Sequence, residues 1–181
     1  MITYDHIMIR FGELSTKGKN KKDFIRTLAD NVKNALKDWP ELSFETRYDH
    51  IYVGLNGLDY QPVIERLQDV SGIHALSLVH KCSKDMEAVK TSALELIQQE
   101  EGKTFKVKVK RSDKQYPIHS EEITRIVAGH ILRNTELKVD VHNPDILLSI
   151  EVRQEAAYIF CKTFLGAGGY PLVTGQEYAH R

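Results

Sequence analysis

Basic residues are concentrated in two short stretches, and lysines beside glycines are suited to binding phosphate groups. The first stretch reads R-F-G-E-L-S-T-K-G-K-N-K-K-D-F over 10–24 and contains Lys17, Lys19, Lys21 and Lys22. It lies between a strand-like apolar run and a helical pattern that Asn20 could cap. Lysines at a helix start oppose the helix dipole, so stability alone would not select them there. The stretch favours phosphate binding, and the alternative is a solvated loop that serves only solubility.

The second stretch contains six basic residues with Asp113 as its only acid: Lys103, Lys106, Lys108, Lys110, Arg111 and Lys114. The alternating run T-F-K-V-K-V-K over 104–110 predicts a strand with one buried face and one basic face. Like charges on one face repel each other, and an anionic partner would relieve that repulsion. Gln115 and Tyr116 could add hydrogen bonds or stacking. The alternative is an edge strand that its lysines protect against aggregation.

A third feature is the helical segment A-G-H-I-L-R-N-T over 128–135. Gly129 inside a helix costs about 0.5–1 kcal/mol relative to alanine, so another group could need close approach there. His130 and Arg133 are three residues apart, roughly on one side of the helix. The alternative is tight packing of the helix on a sheet, with His130 in the core.

Motifs for catalysis are scarce in this sequence. It contains no GxxxxGK[ST], GxGxxG, HExxH or GxSxG, and its histidines have no metal-ligand spacing. Cys82 and Cys161 lie far apart on or beside predicted strands, which indicates buried, inert thiols. We therefore predict no catalytic residue and no metal site in this chain.

The composition points to a small globular protein without an overall charge. The chain has 181 residues, with 25 Lys and Arg against 25 Asp and Glu. The N-terminus lacks the layout of a signal peptide, and no apolar run approaches the ~18 residues of a membrane helix. We predict a cytoplasmic protein that does not associate with membranes.

The predicted elements begin with the order β-α-β-β-α-β over roughly the first 80 residues, which is typical of a ferredoxin-like domain. A helix over 84–101, the basic strand, a helix over 120–134 and three strands over 137–163 follow. Residues 165–169, L-G-A-G-G, predict a linker. The predicted fold class is α+β.

Several segments together resemble the N-terminal half of bacterial tRNA 4-thiouridine synthase, a tRNA sulfurtransferase. They are Y-D-H-I-M-I-R-F-G-E-L-S-T-K-G-K-N-K-K-D-F at 4–24, G-H-I-L-R-N-T at 129–135, V-D-V-H-N-P-D at 139–145, I-E-V-R at 150–153 and G-A-G-G at 166–169. The resemblance implies a ferredoxin-like domain over 1–75, an α/β THUMP domain over 76–165 and a linker or divergent tail over 166–181. In that family the pair binds the acceptor region and 3′ end of tRNA.

In the same family a C-terminal pyrophosphatase-loop domain uses ATP and Mg²⁺ to activate uridine 8, and a cysteine there passes on sulfur from a cysteine desulfurase. The family is also tied to thiamine synthesis. This sequence contains no S-G-G-x-D-S loop and reads G-G-Y-P-L-V-T-G where the family has P-V-G. The resemblance therefore implies a tRNA-binding module with no cofactor of its own, with ATP and Mg²⁺ belonging to the missing domain.

The predicted RNA contacts are Lys17, Lys19, Asn20, Lys21, Lys22, Lys108, Lys110, Arg111, Lys114, His130 and Arg133. Two alternatives remain open. One is a small acylphosphatase-like hydrolase that uses Gly18, Lys19 and Asn20 with Arg10 or Arg26. The other is a non-catalytic dimerisation module, and a homodimer is also compatible with tRNA binding.

Overall fold

The computed structural model describes residues 3–11, 20–47 and 50–168. Along them the chain forms β1 (His6–Phe11), α1 (Asn20–Ala35), β2 (Ser43–Thr46), β3 (His50–Gly54), α2 (Tyr60–Leu67), β4 (Ile73–Cys82), α3 (Met86–Gln98), β5 (Thr104–Arg111), α4 (Ser120–Asn134), β6 (Lys138–Val139), β7 (Ile146–Val152) and β8 (Ala157–Leu165). The chain divides into two compact units.

The first unit comprises the described part of Asp5–Ser77 together with 163–168. Its strands follow the order β2-β3-β1-β4, and β3 pairs antiparallel with both β1 and β2. The chain order βαββαβ with this strand order is the ferredoxin-like arrangement. The fold class predicted for this part of the sequence is confirmed.

Local sequence signals explain the helices of the first unit. Helix α1 buries its apolar residues at helical spacing, with Leu28 and Val32 fully inaccessible. A turn at Asn56-Gly57, with φ of 50° and 94°, precedes α2. The Asp59 carboxylate then accepts a hydrogen bond from the Gln61 N–H at 3.2 Å and caps that helix.

The second unit comprises Leu78–Lys162 together with 3–4. Strand β5 lies between β6 and β7 and is parallel to both, whereas β8 is antiparallel to β7. One buried cluster joins α3 and α4 to the sheet, and the residues that β5 contributes to it are Phe105 and Val107. The helices therefore cover the face of β5 that carries the odd-numbered residues.

Two segments differ from the predicted elements. The strand expected over 137–141 is reduced to two residues, because β6 pairs with β5 only at Thr104 and Phe105. The expected linker is held by backbone hydrogen bonds: the Gly166 N–H donates to the His74 carbonyl at 2.9 Å and the Gly168 N–H to the Ile73 carbonyl at 2.7 Å. A Cβ at Gly166 would lie 2.3 Å from the Ile73 oxygen, so a side chain does not fit there.

Candidate nucleic-acid interface

Strand β5 carries its lysines on the face opposite α3 and α4. Phe105 and Val107 are 0% and 7% exposed, whereas Lys108 and Lys110 are exposed. This is the alternation expected from the sequence, because successive side chains of a strand point to opposite faces. The structure therefore forms the basic face that the pattern T-F-K-V-K-V-K predicts.

The lysines of β5 have no ion-pair partner within the described residues. Lys108 is aligned with Ser149 of β7, and Lys110 is aligned with Glu151. The Glu151 carboxylate is instead engaged by Arg153, whose Nη2 lies 2.6 Å from Oε1, and both side chains are nearly buried. The positive charge of Lys108 and Lys110 is thus left for solvent or for an anionic partner.

One side of β5 is largely without a neighbouring strand in the described residues. Beyond Phe105 its hydrogen-bonding edge away from β7 has no strand partner among them. A lysine-rich strand at such an edge also protects against aggregation. The geometry therefore agrees with both interpretations of the basic strand, as an anion-binding surface and as a protected edge.

The loop that follows β5, residues 112–119, turns its one acidic side chain inward. The Asp113 side chain is 11% exposed, and its Oδ2 accepts a hydrogen bond from Lys84 Nζ at 2.9 Å. Its Oδ1 accepts from the Gln115 N–H at 3.1 Å. The Lys84 hydrogen bond is the largest cause that holds the pKa of Asp113 below its usual value. The carboxylate is therefore ionised at neutral pH and neutralised by Lys84.

Arg111 and Tyr116 brace the same loop. Arg111 Nη1 donates to the Tyr116 carbonyl at 2.9 Å, while Arg111 Nε is buried without a hydrogen-bond partner among the described residues. The Tyr116 hydroxyl donates to the Lys84 carbonyl. Burial raises the pKa of Tyr116, so the phenol stays protonated and able to donate. Arg111, predicted as an RNA contact, is partly occupied in holding the loop.

The start of β5 is anchored by the segment V-D-V-H-N-P-D at 139–145. The Asp145 carboxylate accepts hydrogen bonds from the N–H groups of Lys103, at 2.8 Å, and Thr104, at 3.3 Å. These bonds lower the pKa of Asp145. In return the Asp145 N–H donates to Thr104 Oγ1 at 2.9 Å. The basic strand is thus fixed at both ends.

His130 and Arg133 do not lie beside the loop after β5. Helix α4 runs back along the strand, because β6, which follows it, pairs in parallel with the start of β5. Arg133 therefore lies about 20 Å along the helix from Ser120, where α4 begins next to the loop. His130 is half-buried, and its Nδ1 lies 3.4 Å from Nδ2 of Asn134 on the same helix. The structure separates these two residues from Lys110 and Lys114.

The tight packing considered for Gly129 does not occur. Among the described residues, a Cβ at Gly129 would have only the Arg133 side chain within 4 Å, with Nη1 at 3.2 Å, and no atom of the sheet. The interpretation of this glycine as a helix–sheet contact is therefore wrong. The surface beside Gly129 is covered by the guanidinium of Arg133, four residues further along the helix.

The N-terminal basic cluster is described only in part. Lys17 and Lys19 lie outside the described residues, as does the side chain of Asn20, with which α1 begins. Lys21 is buried, with 9% of its surface exposed. Lys22 and Arg26 are exposed and four residues apart, which places them on one side of α1. Of the two lysines of this cluster that the structure describes, Lys22 is exposed to a binding partner and Lys21 is not.

Burial, the largest cause, raises the pKa of the Cys161 thiol to about 12, and its Sγ lies 3.9 Å from the Leu96 carbonyl oxygen. Within residues 3–11, 20–47 and 50–168, no three or more His, Cys, Asp or Glu side chains are placed to hold a metal ion. No helix of the described chain is long and apolar enough to cross a membrane.

The contributions of Lys84 and Asp145 are missed by sequence reasoning. Lys84 looks like an ordinary residue before a helix, and its partner Asp113 is 29 residues away. Asp145 belongs to a segment that carries the family resemblance, so the signal for its importance is present. The pattern does not say that its function is to hold the start of β5.

Comparison with known proteins gives matches over both units. Residues 6–77 match the ThiI ferredoxin-like domain, and residues 83–162 match the THUMP domain. A 4-thiouridine synthetase, crystallised as an RNA complex with bound ATP, has 30% identity and a TM-score of 0.81 over 96% of this chain. PH1313 from Pyrococcus horikoshii Ot3 has 29% identity and a TM-score of 0.79 over 93%.

TrmN from Thermus thermophilus shares the fold, with 18% identity and a TM-score of 0.61 over 92% of this chain and 46% of its own. The chain spans 45% of the 4-thiouridine synthetase and 57% of PH1313. The two domain matches follow one another in the order expected from the sequence. The chain therefore belongs to the ThiI ferredoxin-like domain family over residues 6–77 and to the THUMP domain family over residues 83–162.

Proposed function

We propose that this chain is a tRNA-binding module that positions the acceptor region and 3′ end of tRNA for 4-thiouridine formation at uridine 8. The observation that carries the proposal is the exposed, unpaired basic face of β5 within a THUMP domain. The similar 4-thiouridine synthetase was crystallised with RNA, which supports RNA as the anionic partner.

The two basic surfaces suit different parts of one RNA. Duplex RNA is recognised mainly through its shape, phosphates and 2′-hydroxyls, whereas unpaired ends can be read base by base. Lys22 and the neighbouring Lys17, Lys19 and Asn20 would contact phosphates of the duplex, whereas Lys21 is buried. The remaining contacts would hold the 3′ end, and they are Lys108, Lys110, Arg111, Lys114, His130 and Arg133. Because Arg133 lies about 20 Å from the loop after β5, it would contact a different nucleotide from Lys114.

We assign no catalytic residue to this chain. The thiol of Cys161 is protonated near neutral pH, which suits a structural cysteine. Sulfur transfer would be carried out by a pyrophosphatase-loop domain outside these 181 residues, together with ATP, Mg²⁺ and the cysteine desulfurase. In this proposal the chain works as the substrate-binding part of a cytoplasmic transferase, and a homodimer would leave this assignment unchanged.

Binding to three RNAs tests the proposal: a tRNA transcript, a minihelix of its acceptor arm with the 3′-CCA, and the same minihelix with a blunt end. We expect the transcript and the CCA minihelix to compete with each other in fluorescence anisotropy. The blunt minihelix should bind more weakly. Equal binding of all three RNAs would refute the assignment of the second surface to the 3′ end.

A further inference from the structure

The loop after β5 has an electrostatic arrangement that its sequence does not reveal. Asp113 is the only acid among 103–114, yet it points away from the surface that Lys110 and Lys114 share with solvent. The N–H groups of Ser112 and Asp113 donate to the Val152 carbonyl at 2.8 and 3.2 Å and fix the backbone at the turn. The exposed side of the loop therefore carries the charge of Lys114, next to Lys110 at the end of β5.

Lys84 is the centre of this arrangement. Its ammonium group lies 2.9 Å from the Asp113 carboxylate and 5.9 Å from the centre of the Tyr116 ring. Its carbonyl accepts the Tyr116 hydroxyl. Lys84, two residues before α3, thus binds both ends of the turn 113–116, while Arg111 of the strand donates to the Tyr116 carbonyl. Breaking one of these contacts would release the backbone that carries Lys114.

We propose that Lys84, Asp113 and Tyr116 are positioning residues that hold loop 112–119 in the shape that receives a single-stranded RNA 3′ end. The inference rests on the proposed function, since it assumes that this surface binds the 3′ end. None of the three residues needs to touch the RNA. They act through the backbone of the loop and through Lys114, the lysine that it presents.

A simpler electrostatic account makes the opposite prediction. If Lys84 contacts RNA directly, then neutralising Asp113 frees that lysine and removes a negative charge near the RNA, so affinity should rise. If the three residues position the loop, neutralising Asp113 loosens it and affinity should fall. The sign of the change therefore separates the two accounts.

The experiment compares the Asp113→Asn variant of the 181-residue protein with the unmodified chain. Anisotropy is measured with a labelled CCA minihelix and with its blunt form. We expect about a tenfold loss of affinity for the CCA form, the size of one lost charge-assisted hydrogen bond, and less than about a twofold change for the blunt form. Asp38→Asn is the matched control, since Asp38 pairs with Arg66 at 3.2 Å in the other unit. It should change neither affinity.

A second, milder variant tests the inference in case Asp113→Asn does not fold. Tyr116→Phe removes only the hydroxyl that donates to the Lys84 carbonyl, and it should show the same CCA-specific loss with the same sign. Thermal melting of each variant shows whether the protein is folded at the assay temperature. Equal losses on both RNAs, unchanged CCA binding in folded protein, or a gain in affinity for Asp113→Asn would each overturn the inference.

The two proposals fail in different ways. If the unmodified chain binds the CCA and blunt minihelices equally, the assignment of the 3′ end is wrong and the positioning inference falls with it. If the unmodified chain distinguishes them and the Asp113→Asn and Tyr116→Phe variants do so equally well, only the positioning inference is wrong.

Discussion

Replacing Lys108 and Lys110 together with alanine should weaken RNA binding and make it less sensitive to salt. Both side chains are exposed on one face of β5, and neither has an ion pair with a described residue, so their removal leaves no unpaired acid behind. By analogy with DNA, each neutralised phosphate contributes about 0.7 to the log–log salt slope for single strands and about 0.9 for duplexes. Two contacts to an unpaired 3′ end therefore contribute about 1.4.

This slope converts into a measurable difference between two salt concentrations. From about 50 to 200 mM salt, a slope difference of about 1.4 means that the unmodified protein loses about sevenfold more affinity than the double variant. Contacts to duplex phosphates would raise that factor to about twelvefold. The two binding curves should converge as the salt concentration rises, because the lost interaction is the screened one.

The assay is anisotropy titration of the labelled CCA minihelix at four or more salt concentrations. The matched control is Lys33→Ala with Lys37→Ala, which also removes two exposed lysines, here from the end of α1 and the residues after it. Equal changes of slope in both double variants would show nonspecific attraction to a basic protein. An unchanged slope for the β5 variant would refute the assignment of its lysines and favour protection of a strand edge.

Three further predictions follow from other residues. The Lys84 hydrogen bond lowers the pKa of Asp113, so the ionised carboxylate stabilises the fold above the ordinary carboxyl range. That stabilisation is lost as pH falls through the folded pKa. The melting temperature of the unmodified chain should therefore exceed that of Asp113→Asn from pH 7 to about 5, and the difference should shrink below about pH 4. Gly129→Ala should stabilise the fold by about 0.5–1 kcal/mol in denaturant titration, since only the flexible end of Arg133 lies near the added methyl group; a loss of stability would contradict this. Because burial raises the pKa of Cys161 to about 12, iodoacetamide should modify it more than about 100-fold more slowly than a free cysteine at pH 8, and rapid labelling of folded protein would refute that burial.

Local patterns are sufficient to predict several elements of this fold. The alternation over 104–110 predicts a strand with a basic face, and the structure has that strand at Thr104–Arg111. The apolar spacing over 120–134 predicts the helix found at Ser120–Asn134. The Asn56-Gly57 pair predicts a turn, and both residues have positive φ. In each case the signal and the structure it specifies lie within a few residues of each other.

The contacts that shape the candidate site are not of this kind. Lys84 meets Asp113 across 29 residues, and Asp145 meets the Lys103 N–H across 42. Both pairs depend on how the helices return the chain to the sheet, which periodicity does not specify. The predicted contacts with the 3′ end also group His130 and Arg133 with the lysines of β5. The direction of α4 carries these two residues toward the start of that strand.

Arg111 shows that a basic residue of this stretch can be engaged within the protein itself. Along β5 the even-numbered residues Lys108 and Lys110 face outward, and Arg111 continues the odd-numbered series that faces the helices. At the end of the strand this series leaves the apolar core and meets the loop, where a guanidinium can reach the Tyr116 carbonyl. A lysine at this position would keep the positive charge but not the planar group that braces the turn. Alternation along β5 thus gives basic residues of the stretch 103–114 two different roles. The outward-facing Lys108 and Lys110 are exposed to a phosphate partner, whereas the inward-facing Arg111 holds the loop beside them.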